Sequence, residues 1–244
     1  MLVKSKLKYI QSLGHKKPRD EAGVFIAEGT KLVKELLEEQ PASVLEVFAL
    51  KEWLDAHSKL LTKSKTEEIT PIELGRISQL STPNKVLAVI KQFSSSFPAT
   101  AIGKIVLALD GIQDPGNLGT MIRNADWFGI EQIVCSPECA DIYSPKVVQA
   151  TMGSIARVKT FYVDLKSWMI NQKGVRIYAA VLEGLDIYTM KKIKEGIILI
   201  GNESKGIREE LLNMANVKIT IPRRGKAESL NASVAAGVIL GQLV

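Results

Sequence analysis

A chain of 244 residues, 46% of them apolar, is long enough to bury one large core or two small ones, and its composition excludes disordered and fibrous classes. No apolar run approaches the roughly 20 residues of a membrane span, and the start lacks the apolar stretch of a signal peptide, so a cytoplasmic protein is expected. The formal net charge is +6.

All of that charge lies at the beginning. Residues 1–19 carry Lys4, Lys6, Lys8, Lys16, Lys17 and Arg19 without a single acid, while the other 26 basic residues balance 26 acidic ones. A concentrated basic patch attracts a polyanion by counterion release and long-range steering, which points to RNA or DNA; the alternative is a solvated basic helix with no ligand. Lys4 to Leu13 reads as helical, Val24 to Ala27 as extended, and Thr30 to Glu39 as an amphipathic helix burying Leu32, Val33, Leu36 and Leu37. Val44 to Leu50 and Val86 to Ile90 complete a small α/β unit over residues 1–95. Residues 93–100, Phe-Ser-Ser-Ser-Phe-Pro-Ala-Thr, have the composition of a domain linker, which is set at 96–104.

From residue 105 to 244, strand-like and helical runs alternate: Ile105 to Leu109, Gly119 to Phe128, Gln132 to Cys135, Pro145 to Ile155, Val175 to Val181, Ile197 to Ile200, Ile207 to Met214, Val217 to Ile221 and Leu230 to Leu243. This pattern predicts a mainly parallel sheet with helices on both faces. Gly196 to Ile200 is too apolar for an edge and is expected at the sheet's centre. Cys135 and Cys139, with only His15 and His57 elsewhere, complete no zinc spacing, so no metal is expected.

Three patches follow strand ends, where open α/β sheets bind ligands. The first is Asn117-Leu-Gly119-Thr-Met-Ile-Arg123, with Asn117 in the opening turn of a helix whose free N–H groups can hold an anion or hydroxyl. Arg123 lies four residues past Gly119, on the same helix face. The second is Gly201-Asn202-Glu203-Ser204-Lys205-Gly206. Gly201 allows close backbone approach, and Glu203 is free to pair with Arg123. The third is Ile221-Pro222, a basic loop containing Arg223, Arg224 and Lys226, then Ser229-Leu230-Asn231-Ala232-Ser233, with Ser229 placed as the cap of a final helix rich in small residues. Each patch alone also reads as ordinary capping and turn chemistry. Neither a Gly-x-Gly-x-x-Gly fingerprint nor a P-loop is present.

Together, in this order and spacing, the three patches resemble the SpoU (TrmH-type) family of RNA ribose 2′-O-methyltransferases. Gly23-Val-Phe-Ile-Ala-Glu-Gly29 with Lys31-Leu-Val33 is similar to the RNA-binding domain that many members carry ahead of the catalytic one. The resemblance implies a deep trefoil knot, which periodicity does not show, and S-adenosylmethionine as cofactor. It implies that Leu182, Gly201, Ile221 and Leu230 contact that cofactor, and that Asn117, Arg123, Glu203, Ser229 and Asn231 serve catalysis. Family precedent has the arginine activate the 2′-hydroxyl. A guanidinium with a pKa above about 12 rarely yields its proton, so anchoring phosphate and stabilising an alkoxide are the easier roles.

The chain departs from the family in Arg223 after Ile-Pro and Ala232 after Asn231, neither of which removes a polar group. Arg223 and Arg224 join the basic N-terminal residues as candidate RNA contacts. The family also implies a homodimer, and the separate N-terminal domain favours ribosomal RNA over transfer RNA. A non-catalytic RNA-binding or ribosome-assembly factor is the alternative; an unrelated small-substrate α/β enzyme accounts poorly for the basic start.

Overall fold

The computed structural model describes residues 2–62, 64–93, 97–98 and 100–244. Ser94, Ser95, Ser96 and Ala99 of the expected linker lie outside them. The chain divides into two compact units, Met1–Ser94 with Asp141–Arg157, and Ser95–Ala140 with Val158–Val244.

The first unit opens with helices α1 (Lys4–Ser12) and α2 (Lys16–Ala22). It continues as β1 (Val24–Glu28), α3 (Thr30–Glu39), β2 (Val44–Ala49), α4 (Lys51–His57), β3 (Lys65–Glu68), α5 (Pro71–Ile77) and β4 (Val86–Lys91). The sheet order is β1-β4-β2-β3, with β4 antiparallel to both neighbours and β2 parallel to β3. Every residue of β1 is buried. Helix α3 buries Leu32, Val33, Leu36 and Leu37, as its periodicity predicts, and packs on β1 and β4. A second cluster joins Ile10 of α1 and Leu13 just past its end to Leu74 and Ile77 of α5 over Phe48, Leu87 and Val89.

The second unit contains β5 (Ile105–Asp110), α6 (Pro115–Trp127) and β6 (Gln132–Cys135). The chain then returns to the first unit as α7 (Pro145–Thr151), and comes back as β7 (Lys159–Tyr162), α8 (Leu165–Ile170), β8 (Ile177–Asp186), β9 (Gly196–Gly201), α9 (Glu209–Leu212), β10 (Val217–Thr220) and α10 (Ala232–Leu243). All six strands are parallel, in the order β10-β8-β9-β5-β6-β7, so β9 is interior as its apolar sequence predicts. Val106, Ala108, Ile197 and Leu199 share a core with Leu165, Trp168 and Leu211 of α8 and α9. Strand alternation sends Leu107, Leu109, Ile198 and Ile200 to the opposite face.

Residues Asp141–Arg157 are held within the first unit by charge and by ring packing. The Arg19 guanidinium lies 2.6 Å from the Asp141 carboxylate and donates 2.9 Å bonds to the carbonyls of Leu13 and Gly14. Tyr143 stacks on Phe25 at 4.9 Å, and Arg157 pairs with Glu35 at 3.0 Å. Helix α7 packs on β1.

Candidate functional site

The loops after β5, β9 and β10 converge, and each is shaped by local sequence. Asp114 caps α6, its carboxylate accepting the Asn117 N–H at 2.8 Å, with Pro115 fixing the first helical φ. Gly201 ends β9, where a Cβ would sit 2.4 Å from the backbone carbon of Gly206, so only glycine lets the loop fold back there. Asn231 caps α10: its Oδ1 accepts the Ser233 and Val234 N–H groups at 3.0 and 3.2 Å. The cap expected at Ser229 is therefore two residues further on. Ser229 lies in the exposed stretch before it.

The three loops meet at the Asn117 amide. Its Nδ2 donates to the Glu203 carboxylate, while its Oδ1 accepts from Asn231 Nδ2 at 2.9 Å and from Ser233 Oγ at 3.3 Å. Ser233 Oγ also donates to Asn231 Oδ1 at 2.7 Å, and Asn124, two turns along α6 from Asn117, donates to the Ser233 carbonyl at 2.9 Å. Turning the Asn117 amide over would set its carbonyl against a carboxylate and its NH2 against another NH2, so the network fixes the orientation of all three side chains. Glu203 is thus engaged by Asn117, not by Arg123.

Arg123 is exposed, and among the described residues no hydrogen bond or ion pair occupies its guanidinium, which leaves five donors free for an anion. Asn124 is a site residue that sequence reasoning missed, and Ser233, buried at 6% exposure, belongs to the third patch but carried no assigned role there. The available signal was helical spacing: Asn124 follows Asn117 by seven residues and so returns to the same face.

Gly201 ends β9, Ile221 and Leu230 lie on the loop after β10, and Leu182 lies in the part of the adjacent strand β8 beyond its pairing with β9. Between Ala179 and Leu185, β8 runs five residues for which β10 supplies no partner. Thr220 Oγ1 ties this excursion to the end of β10 through the Leu182 carbonyl at 3.0 Å. A Cβ on Gly184 would sit 2.7 Å from the Lys218 carbonyl oxygen. Leu182 at 74% and Leu230 at 48% exposure present apolar surface at this edge, which suits an aromatic base and a thioether chain, so the residues present fit an adenosine-type cofactor.

The basic N-terminal segment is less available than its sequence suggests. Arg19 is only 2% exposed and is committed to Asp141, which corrects its assignment as an RNA contact: a buried cation with a buried-side partner is structural. Lys6 bridges Glu46 and Glu67, each at 2.7 Å, and Lys16 and Lys17 pair with Asp20 and Glu21 one helical turn on. Lys4 and Lys8 stay exposed and, among the described residues, unpaired, four apart on one face of α1. Arg223 and Arg224 are exposed; Arg223 donates to the Ala227 carbonyl at 3.2 Å.

Residues 104–241 match the SpoU rRNA Methylase family, and residues 4–88 match the MRM3-like substrate binding domain. The chain is similar to the 23S rRNA (guanosine(2553)-2′-O)-methyltransferase RlmP of Bacillus subtilis, with 30% identity over 98% of this chain and 95% of that protein. It is similar also to the 23S rRNA (guanosine-2′-O-)-methyltransferase RlmB of Photobacterium profundum, with 29% identity over 88% of this chain and 95% of that one. Among solved structures, an AdoMet-bound rRNA methyltransferase from Sinorhizobium meliloti superposes with a TM-score of 0.86 at 30% identity, covering 99% of this chain and 95% of its own.

Proposed function

The chain belongs to the SpoU rRNA Methylase family, and from that membership we infer how its converging loops carry out the family's reaction. It is an S-adenosylmethionine-dependent RNA ribose 2′-O-methyltransferase, and its substrate is ribosomal RNA, the substrate class named for both relatives. When bound, the cofactor supplies the electrophilic methyl of its sulfonium. Leu182, Gly201, Ile221 and Leu230 are the residues we assign to holding it.

The observation that carries the site assignment is the junction at Asn117. The amides of Asn117 and Asn231, locked by Glu203 and Ser233, form a rigid polar floor that can orient a ribose hydroxyl, and positioning of this kind supplies much of the rate in a displacement at carbon. Arg123, exposed and unpaired among the described residues, anchors the neighbouring phosphate and lowers the cost of negative charge on the 2′-oxygen. Ser229 lies on the exposed approach to the Asn231 cap and is assigned to the substrate side. Unit one, matching a substrate-binding domain, brings the RNA, with Lys4 and Lys8 of α1 among its exposed cations, and Arg223 and Arg224 of the second unit serve as phosphate contacts beside the reaction.

We further infer a homodimer through the second unit, supported by exposed Trp127, Tyr188 and Val234 on elements that pack together, and the family's trefoil knot, supported by the β8 excursion against β10. No helix among the described residues is long and apolar enough to cross a membrane, and a ribosomal substrate sets the enzyme in the cytoplasm.

The test is methyl transfer from labelled S-adenosylmethionine to undermethylated 23S RNA, with the product nucleoside mapped. A 2′-O-methylated nucleotide is expected, and base methylation would overturn the mechanism. Arg123→Ala should lower kcat by about 10²–10³ with RNA affinity within a few fold, read by single-turnover kinetics and filter binding. Unchanged turnover would remove Arg123 from the site.

A further inference from the structure

We propose that Asp110 and Arg208 are a positioning pair that sets Glu203, and through it the Asn117 amide, for methyl transfer; this rests on the reading of the Asn117 junction as the reaction site. Asp110 is the last residue of β5 and only 3% exposed. Both of its oxygens are taken by one residue: Oδ2 accepts the Arg208 backbone N–H and Oδ1 accepts Arg208 Nε, each at 2.8 Å. The next residue, Gly111, accepts Asn202 Nδ2 on its carbonyl at 2.8 Å. The loop from 202 to 208 is therefore fastened at both ends to two consecutive residues, the last of β5 and the one after it.

Between those fastenings the loop is closed on itself. Asn202 and Gly206 exchange backbone bonds at 3.1 and 2.9 Å, and Asn202 Oδ1 takes the N–H groups of Ser204 and Lys205. Glu203 rides on this bracket, exposed, and among the described residues its one hydrogen bond is the one from Asn117. Asn117 itself follows Gly111 by six residues through the Asp114 cap. Asp110 and Gly111 thus fix both partners of the Glu203–Asn117 bond, one along the chain and one across the sheet.

A burial argument separates this role from simple folding. Residues 203–206 are exposed and add little to the core, so the fold gains little from holding them, yet a carboxylate is taken out of water to do so. The cost makes sense where orientation matters, since a shift of about 1 Å at a reacting group can cost on the order of 10²-fold in rate.

The experiment is a double-mutant cycle on kcat with the full chain and ribosomal RNA, using Arg208→Ala, Glu203→Ala and the pair, with Asp110→Asn as an isosteric second probe should Arg208→Ala melt early. Expected are a 10- to 100-fold fall in kcat for Arg208→Ala with KM for RNA and cofactor within about threefold, and little further loss when Arg208→Ala is added to Glu203→Ala. Independent, multiplying losses would overturn the proposal, as would an Arg208→Ala or Asp110→Asn enzyme with normal kcat. If Glu203→Ala itself keeps full turnover, the site reading fails first, and the positioning proposal falls with it.

Discussion

At the scale of single residues, Asn231 does two separable jobs with opposite ends of one amide. Its Oδ1 caps α10, and its Nδ2 serves Asn117. Asn231→Asp keeps the acceptor and loses the donor, so thermal stability should stay within about 0.5 kcal/mol while kcat falls at least tenfold. Asn231→Ala should lose about 1 kcal/mol as well. Melting curves and turnover on the same samples check both, and an active Asp variant would detach Asn231 from the chemistry.

Glu73 shows a charge used for structure alone. Its carboxylate accepts from the N–H groups of Thr70 and Leu2 and completes a capping box with Thr70, and these bonds hold its pKa down at about 2. A carboxyl depressed in the folded state stabilises above its unfolded pKa, near 4.5, and that contribution disappears as pH falls towards 2. The gap in melting temperature between the parent and Glu73→Gln should be constant above about pH 5 and close under acid. A gap that persists at pH 2 would mean the bonds do not depend on charge.

At the scale of elements, the two close backbone approaches are the vulnerable points. Gly201→Ala forces a Cβ to within 2.4 Å of Gly206, and neither side is a movable side chain, so the bracket bearing Glu203 must shift. We expect cofactor affinity to fall tenfold or more by calorimetric titration; unchanged affinity would place the cofactor away from this turn.

The elements legible in the sequence are those whose apolar residues lie on a buried face: α3, β5, β6 and β9 fall where periodicity puts them. Two strands that were not foreseen, β3 and β7, are the outer strands of their sheets, and β3 reads Lys-Thr-Glu-Glu, the charged composition that protects an edge. Helix α2 was hidden by Pro18 in its first turn, and α9 has four residues where its pattern suggested eight. Within the site, Asn117, Glu203 and Asn231 were visible as motif residues. Ser233 was visible too, though not its bond to Asn117, and the pair Asp110 and Arg208 was not, because contacts that span about a hundred residues of sequence are encoded by no local pattern.

At the scale of the whole molecule, the two units are not consecutive stretches of chain. Val147, Val148 and Ile155, coded between two strands of the second unit, are buried with the first. Removing residues 1–95 therefore does more than delete the stretch that matches a substrate-binding domain: it bares an apolar segment. That truncated chain should aggregate or bind a hydrophobic dye, whereas a version in which residues 141–157 are also replaced by a short Gly-Ser turn should stay monodisperse, keep cofactor binding and lose RNA affinity. Light scattering decides, and a monodisperse, fully stable simple truncation would show that the segment stands by itself.

The same interleaving has a consequence during synthesis. An amino-terminal domain ordinarily folds as soon as its last residue leaves the ribosome, but here the piece that covers β1 is made about sixty residues later, a delay on the order of 3–13 s at usual elongation rates. By then β5, α6 and β6 have already been translated. The unit we assign to gripping ribosomal RNA is completed only after the first motif of the transfer site exists, so a nascent chain interrupted before residue 141 holds neither a finished RNA-binding surface nor a finished enzyme.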